Sequence, residues 1–176
     1  MTKEQGIAWA GLPVVVGLGA FFAWAGGHGE AMHLGLSAYA WCVVLAFAIQ
    51  ALAFVPSYLA RTEHFYDLAG ALTYITGTGL ALAIAPVLND RSWLMALLVW
   101  IWSGRLGWFL FRRVRRSGKD GRFDEIKGDF PRFLIAWMLQ GLWVTFTAAA
   151  AWVVITNAAS AGLGWIYLVG GALWLT

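Results

Sequence analysis

The stretch that decides the fold is Trp100–Val144, WIWSGRLGWFLFRRVRRSGKDGRFDEIKGDFPRFLIAWMLQGLWV. Two long apolar segments flank a charged island, Arg112–Arg132, which holds 12 of the chain's 21 Lys, Arg, Asp and Glu residues. Arg105 lies inside the first apolar segment and Gln140 inside the second. Because charge is scarce elsewhere, the island fixes the topology and is the first place to look for a functional site.

The composition places the chain among integral membrane proteins. Hydrophobic residues make up 61% of the 176 residues and charged residues only 12%, whereas roughly a quarter of the residues in soluble domains are charged. A water-soluble fold of this length could not bury so much apolar surface. The net charge of +3 does not indicate nucleic-acid binding, because the basic residues flank apolar segments. The spacing of the three histidines predicts no metal site.

Five apolar segments are long enough to cross a hydrocarbon core of ~30 Å, which takes about 20 helical residues. Helices are predicted because an open strand would leave backbone groups unpaired in lipid. A sixth segment begins near Leu163 and stops at Thr176, which as a helix is only about 21 Å long. We therefore predict an all-α membrane protein, a polytopic helical bundle with five full transmembrane helices and a sixth that is cut short in a longer protein. The five predicted spans are Ile7–Ala25, Leu34–Leu59, Leu68–Leu88, Ser92–Phe111 and Phe133–Ile155.

The distribution of Lys and Arg predicts the orientation of the chain. With the island in the cytoplasm and the helices threaded alternately, Lys3 and Arg61 also fall inside, and only Arg91 falls outside. We predict one transmembrane domain, residues 1–176, in the bacterial inner membrane, with a cytoplasmic N-terminus and a cytoplasmic loop at residues 112–132. The first span could also be a signal peptide, but Glu4 offsets Lys3, which favours a retained helix.

Two interpretations of Arg105 are open. It comes seven residues before Arg112 and so lies about 10 Å deeper along the helix, a depth from which its side chain can snorkel to lipid headgroups. Alternatively, Arg105, Arg112 and Arg116 fall on one helical face, at i, i+7 and i+11. If that face looks into the bundle, it presents guanidinium groups suited to phosphate oxygens.

A second polar group lies at the junction of the second and third helices, RTEHFYDLAGALTYITG. Glu63, Asp67 and Tyr74 fall near one face at helical spacing. Asp67 either caps the third helix or pairs with Arg105 of the adjacent helix. Tyr74 lies about 10 Å further in, where it is either a packing residue or a proton donor to a substrate oxygen.

Gln140 lies inside the fifth helix, with Trp137 on the same face. An amide at this depth needs a hydrogen-bond partner, which is either another helix or a ligand. The loop before this helix mixes signs and includes Asp120 and Arg122, unlike the run of Lys and Arg that anchors a protein to lipid. We expect an ordered loop folded over the cytoplasmic mouth of the bundle.

Several of these residues, in this order, resemble a known family. It consists of bacterial multi-pass proteins that are related to steroid 5-alpha-reductases and carry a domain of unknown function, and the resemblance spans roughly residues 56–176. The entry to the third helix, Arg61-Thr62-Glu63 and Phe65-Tyr66-Asp67-Leu68, also fits the family. The other similar residues are Arg105-Leu106, Arg112-Arg113, Gly118-Lys119-Asp120-Gly121-Arg122-Phe123-Asp124, Phe133 and Leu139-Gln140-Gly141-Leu142-Trp143.

The resemblance implies an enzyme that reduces a carbon–carbon double bond conjugated to a carbonyl, with hydride from NADPH. An apolar substrate would enter from the membrane lipids between the helices. Tyr74 would donate the proton, oriented by Asp67 or Glu63, and Trp137 and Gln140 would contact the substrate. The residues expected to bind the cofactor are Arg105, Arg112, Arg116, Asp120 and Arg122.

The family's cofactor site also draws on a C-terminal motif resembling R-H-P-N-Y, and the chain stops at Thr176 before such a motif. The resemblance therefore implies that this chain does not hold the whole cofactor site. The same motif marks membrane methyltransferases that use S-adenosylmethionine, such as the isoprenylcysteine carboxyl methyltransferases. The RTE-x-FYD and LQGLW segments favour the reductase, and a non-catalytic membrane protein that binds lipid headgroups or a partner is the third alternative.

Overall fold

The computed structural model describes residues 1–30, 32–117, 120–157 and 164–175. Five of its helices are long and apolar enough to cross a membrane, and a short sixth follows, which confirms the predicted fold class. The helices are α1 (Lys3–Gly26), α2 (Ala38–Leu59), α3 (Tyr66–Ile84), α4 (Asp90–Ser117), α5 (Phe130–Thr156) and α6 (Trp165–Leu175). An antiparallel hairpin of β1 (Met32–His33) and β2 (Leu36–Ser37) joins α1 to α2.

The helices on both sides of the charged island are longer than predicted. α4 continues to Ser117 and α5 begins at Phe130, so the connecting segment is residues 118–129 and not residues 112–132. Arginine has a high helix propensity, and cations in the last turn interact favourably with the helix dipole, so the arginines prolong α4 instead of ending it. Gly118 and Lys119, which belong to the predicted loop motif, lie outside the described residues.

The start of α1 and the start of α5 lie at the same end of the bundle. The Nε2 group of Gln5 donates to Asp129 at 3.0 Å, and Arg132 pairs with Glu4 at 2.8 Å. We call this end, which includes residues 120–129, the charged end. The topology predicted from the sequence likewise puts the N-terminus and the segment before the fifth helix on the same side of the membrane.

α5 lies at the centre of the bundle and contacts α1, α2, α3 and α4. Its Trp152 is fully buried and donates from Nε1 to Thr78 of α3 at 3.0 Å. A Cβ atom at Gly77 would lie only 2.5 Å from the Trp152 ring, so glycine is needed where these two helices meet. Small residues allow this close approach in membrane bundles, as the composition of α3 predicts.

Candidate functional site

A buried carboxylate organises the charged end. Glu63, in the turn between α2 and α3, is only 2% exposed. One of its oxygens accepts from the backbone N–H of Asp120 at 3.1 Å, and the other accepts from the Lys127 ammonium at 3.0 Å. Lys127 also contacts Asp124 at 3.2 Å. Glu63 therefore ties residues 120–129 to the turn before α3.

Asp67 belongs to a second ion-pair cluster beside Glu63. It lies 3.4 Å from both Arg113 and Arg122, and Asp120 binds Arg122 as well. Of the two interpretations of Asp67, the ion pair with an arginine of α4 is observed, but its partner is Arg113 and not Arg105. Arg113 takes this place because it is two turns nearer to the charged end on α4, where Asp67 also lies.

The described part of the connecting segment, residues 120–129, packs against the bundle. Phe123 is only 5% exposed, and its ring packs against Tyr66 and Phe133 with centroid separations of 4.7 and 6.0 Å. This aromatic anchor and the Glu63 contacts hold the segment against the charged end of α3 and α5.

The contacts of the charged end set the pKa values of its side chains. Burial raises the pKa of Glu63, but the hydrogen bonds from Asp120 N–H and Lys127 outweigh it, so the pKa lies below its ordinary value of 4.5. Hydrogen bonds from Arg122 are the main cause that lowers the pKa of Asp120. The hydrogen bond to Glu63 is the main cause that raises the pKa of Lys127. All three groups are therefore charged at neutral pH.

We expect the protein to lose stability as the pH falls below about 4.5. The folded-state pKa values of Glu63 and Asp120 lie below their unfolded values, so their stabilisation is complete above the unfolded values and is lost as the pH falls through the folded ones. Unfolding in detergent micelles, followed from about pH 7 to about pH 3, should show this loss. Glu63→Gln should reduce the pH dependence and Glu125→Gln should not; equal dependence in both variants would contradict the assignment.

Two neighbouring cavities lie between α4 and α5 against α3, and we call the pair the cleft. Its outer part, toward the charged end, is a cavity of about 390 Å³, and its inner part, further along the same helices, is a cavity of about 340 Å³. Tyr74 lines both cavities. At the outer rim, Leu139 and Trp143 are 47% and 63% exposed. The cleft therefore opens on an apolar outer surface of the bundle, where lipid would lie.

Tyr74 is buried, and its hydroxyl group bonds to a threonine of α5 and not to Asp67 or Glu63. It is only 4% exposed, and its hydroxyl lies 2.5 Å from the Thr147 Oγ1 atom of α5. The Thr147 hydroxyl also donates to the Trp143 carbonyl at 2.8 Å, which leaves its oxygen to accept from Tyr74. The prediction that Asp67 or Glu63 orients Tyr74 is thus wrong, because both carboxylates are engaged at the charged end. No sequence pattern predicts the contact with Thr147.

Gln140 lines the outer cavity and Trp137 lies behind it. The Gln140 amide packs against α3 where a Cβ atom at Gly70 would lie 2.5 Å from its Nε2 atom. Its Oε1 atom is buried and has no hydrogen-bond partner among the described residues, so it is available to a ligand. Trp137 is fully buried and its ring packs against Tyr66 and Phe133, which places it in the core and not on the described wall of either cavity.

Arg105, Arg112 and Arg116 share one exposed face of α4, as their spacing predicts. This arginine face turns away from α3, because Gly107, on the opposite side of α4, packs against Ala71. Among the described residues none of the three forms an ion pair. Arg105 lines a cavity of about 580 Å³ together with Trp102, Leu106, Phe109 and Trp174.

The arginine face adjoins the cleft. Trp102 lines both the Arg105 cavity and the inner part of the cleft, and Leu106 lines both the Arg105 cavity and the outer part. The ring of Trp102 also packs edge-on against Tyr74, with a centroid separation of 5.0 Å. The Trp102 side chain thus lies between the cavity lined by Arg105 and the ring of Tyr74.

Comparison with known families accounts for most of the chain. Residues 53–176 match the model of a family described as "Protein of unknown function (DUF1295)". The matched region includes α3, α4 and α5 and therefore both the cleft and the charged end. No curated protein and no solved structure matches the chain.

Proposed function

The chain belongs to the DUF1295 family, and we propose that it is an integral membrane reductase. In this proposal NADPH reduces a carbon–carbon double bond that is conjugated to a carbonyl group in a lipid or steroid-like substrate. The observation that carries the proposal is Tyr74, which is buried between the two cavities of the cleft and lines both of them. A phenol at such a position can donate to a substrate oxygen on which negative charge develops.

The side chains of the cleft suit this chemistry. The carbonyl oxygen of the substrate would replace Thr147 as the acceptor of the Tyr74 hydrogen bond, and the bond from Tyr74 to Thr147 would form again when the product leaves. The cofactor would supply hydride to the carbon β to the carbonyl. As the double-bond electrons move toward the carbonyl oxygen, Tyr74 stabilises the resulting charge, and a solvent proton completes the reduction at the α-carbon.

The arginine face fits the phosphates of the cofactor better than any other cations of the described chain. Arg105, Arg112 and Arg116 are exposed and form no ion pair with a carboxylate of the described residues, whereas Arg122 already binds Asp120 and Asp67. Guanidinium groups bind phosphate oxygens with two parallel hydrogen bonds. In the proposal these three arginines hold the phosphates, and Arg122, which two carboxylates already engage, is not assigned to the cofactor.

The remaining predicted site residues shape the charged end. Glu63 and Asp67 hold residues 120–129 across the outer end of the cleft, and Asp120 holds Arg122 in place. We assign them to positioning the segment and not to the chemical step. We further propose that the charged end faces the bacterial cytoplasm, because Lys and Arg concentrate there and the cofactor is available there.

Direct binding tests the proposal without a known substrate. Protein expressed from its complete gene and purified in detergent should bind NADPH and not S-adenosylmethionine. The double variant Arg112→Gln, Arg116→Gln should weaken NADPH binding by about tenfold or more, because charge-assisted hydrogen bonds to phosphate are lost. Arg115→Gln is the matched control, since Arg115 is exposed on another face of the same helix.

Two other results would each overturn the proposal. Binding of S-adenosylmethionine in place of NADPH would identify a methyltransferase. Binding of neither molecule would identify a non-catalytic membrane protein. A loss of binding free energy in Arg115→Gln that is half the loss in the double variant would show that NADPH is attracted by net charge and is not held by the arginine face, because the control removes one charge and the double variant removes two.

A further inference from the structure

The cleft beside Tyr74 is elongated. On α5, Leu139 lines its outer part and Ala151 lines its inner part, and twelve helical residues correspond to about 18 Å. Its two cavities together are comparable in volume to ligand sites for drug-sized molecules. An occupant that fills the cleft therefore lies along the helices, with one end at the charged end of the bundle.

The two ends of the cleft differ in polarity. Asp67 and Arg122 line the outer part. At the inner end, beyond Tyr74 and Thr147, the described wall is apolar. Its residues are Met95, Leu98, Val99, Trp102, Ala148, Ala150, Ala151 and Trp174. An amphipathic occupant with one polar end and one apolar chain matches this pattern.

The exposed side of the ion-pair cluster at the outer end is cationic. The side chains of Arg113 and Arg122 are 47% and 57% exposed, whereas those of Asp67 and Asp120 are each only 10% exposed. A headgroup that approaches from outside therefore meets guanidinium groups first. Charge complementarity favours an anionic headgroup, such as a phosphate.

The position of Gln140 agrees with such an occupant. Gln140 lines the outer cavity and its Oε1 atom has no hydrogen bond to any described residue, so this atom can accept from the polar linkage between a headgroup and its chains. The exposed rim residues Leu139 and Trp143 give a lateral entrance from lipid.

We infer that the cleft binds an anionic membrane lipid, with its phosphate at Arg113 and Arg122, its polar linkage at Gln140 and one acyl chain extending past Tyr74 to the inner end. Binding of the lipid does not depend on the proposed function. That the bound lipid is also the substrate does rest on the proposed function. Asp67 and Tyr74 are seven residues apart on α3, about 10 Å. The double bond that is reduced therefore lies at that distance from the headgroup and not beside it.

Photo-crosslinking tests the bound lipid independently of catalysis. The probe is phosphatidic acid with a diazirine in the middle of one acyl chain, incorporated with the protein into phosphatidylcholine vesicles. Mass spectrometry should find labelling of α4 and α5 around Val99 and Ala151. Ala151→Phe, which fills the inner end, should reduce this labelling about tenfold, and Ala51→Phe, on the exposed surface of α2, should leave it unchanged. Val99→Phe repeats the test from the opposite wall if Ala151→Phe does not fold.

A second comparison tests whether the headgroup of the bound lipid must be anionic. Diacylglycerol with the same diazirine chain should label the cleft about tenfold less than phosphatidic acid. Equal labelling by the two probes, or labelling unchanged by both filling variants, would overturn the inference. Specific labelling without NADPH binding would contradict the proposed reductase and support the lipid site. NADPH-dependent reduction without specific labelling would support the reductase and contradict the lipid site.

Discussion

Tyr74→Phe is expected to lower the rate of double-bond reduction by about a hundredfold or more, because a positioned proton donor contributes roughly 10²–10⁴ to such a step. The change removes one oxygen atom and keeps the ring against Trp102. NADPH binding should stay within about twofold, since the arginine face is not altered. Turnover of an unsaturated carbonyl substrate and cofactor binding, measured on the same preparation, separate the two effects.

Tyr58→Phe is the matched control for this experiment. Tyr58 packs against Phe54 and Phe130 near the charged end and does not line the described walls of the cleft. Its loss of a hydroxyl group should leave turnover unchanged. If Tyr74→Phe and Tyr58→Phe were equally active, Tyr74 would be a packing residue and the proposed mechanism would fail. Thr147→Val should lie between the two, because it removes only the partner of the Tyr74 hydroxyl.

Glu63→Ala is expected to lower the free energy of unfolding by about 3 kcal/mol, since removal of one partner from a buried ion pair typically costs this much. The variant leaves the Asp120 N–H and the Lys127 ammonium without their acceptor. Asp124, 3.2 Å from Lys127, compensates in part. Reversible unfolding in mixed micelles measures the loss, and faster trypsin cleavage after Arg122 or Lys127 would show that residues 120–129 are released first.

Glu125→Ala provides the comparison for Glu63→Ala. Glu125 is an exposed carboxylate in the same segment, so its removal should change the free energy of unfolding by no more than about 0.5 kcal/mol. If both variants lost the same small amount, the Glu63 contacts would not hold the segment. A large loss without faster cleavage would show that Glu63 stabilises the bundle as a whole.

The membrane helices can be predicted from the sequence because long apolar segments in lipid must pair their backbone groups internally, as a helix does. Their ends are less predictable. Arg112–Arg116 are charged like a loop, yet they continue α4, since helix propensity and the helix dipole favour arginine there. The grouping of Arg105, Arg112 and Arg116 on one face also follows from spacing alone. Which direction that face points does not, because it depends on the packing of Gly107 against α3.

The partners of the site residues were the hardest part to predict. A threonine in an apolar helix usually bonds its own backbone, so nothing in the sequence singles out Thr147, which is 73 residues from Tyr74. Helix spacing gives depth only approximately, so it does not distinguish Arg105 from Arg113 as a partner of Asp67. Helical spacing counted from Glu63 puts Glu63 and Tyr74 on one face, whereas α3 begins only at Tyr66 and Glu63 lies in the turn before it.

Isotope transfer tests the central claim most directly. Membranes that contain the protein expressed from its complete gene are incubated with NADPH deuterated at the transferable position and with an unsaturated carbonyl lipid, and the product is examined by mass spectrometry. We predict one deuterium at the carbon β to the carbonyl and one solvent hydrogen at the α-carbon, with both strongly reduced in Tyr74→Phe. An unreduced double bond, or a methyl group gained from S-adenosylmethionine, would contradict the account.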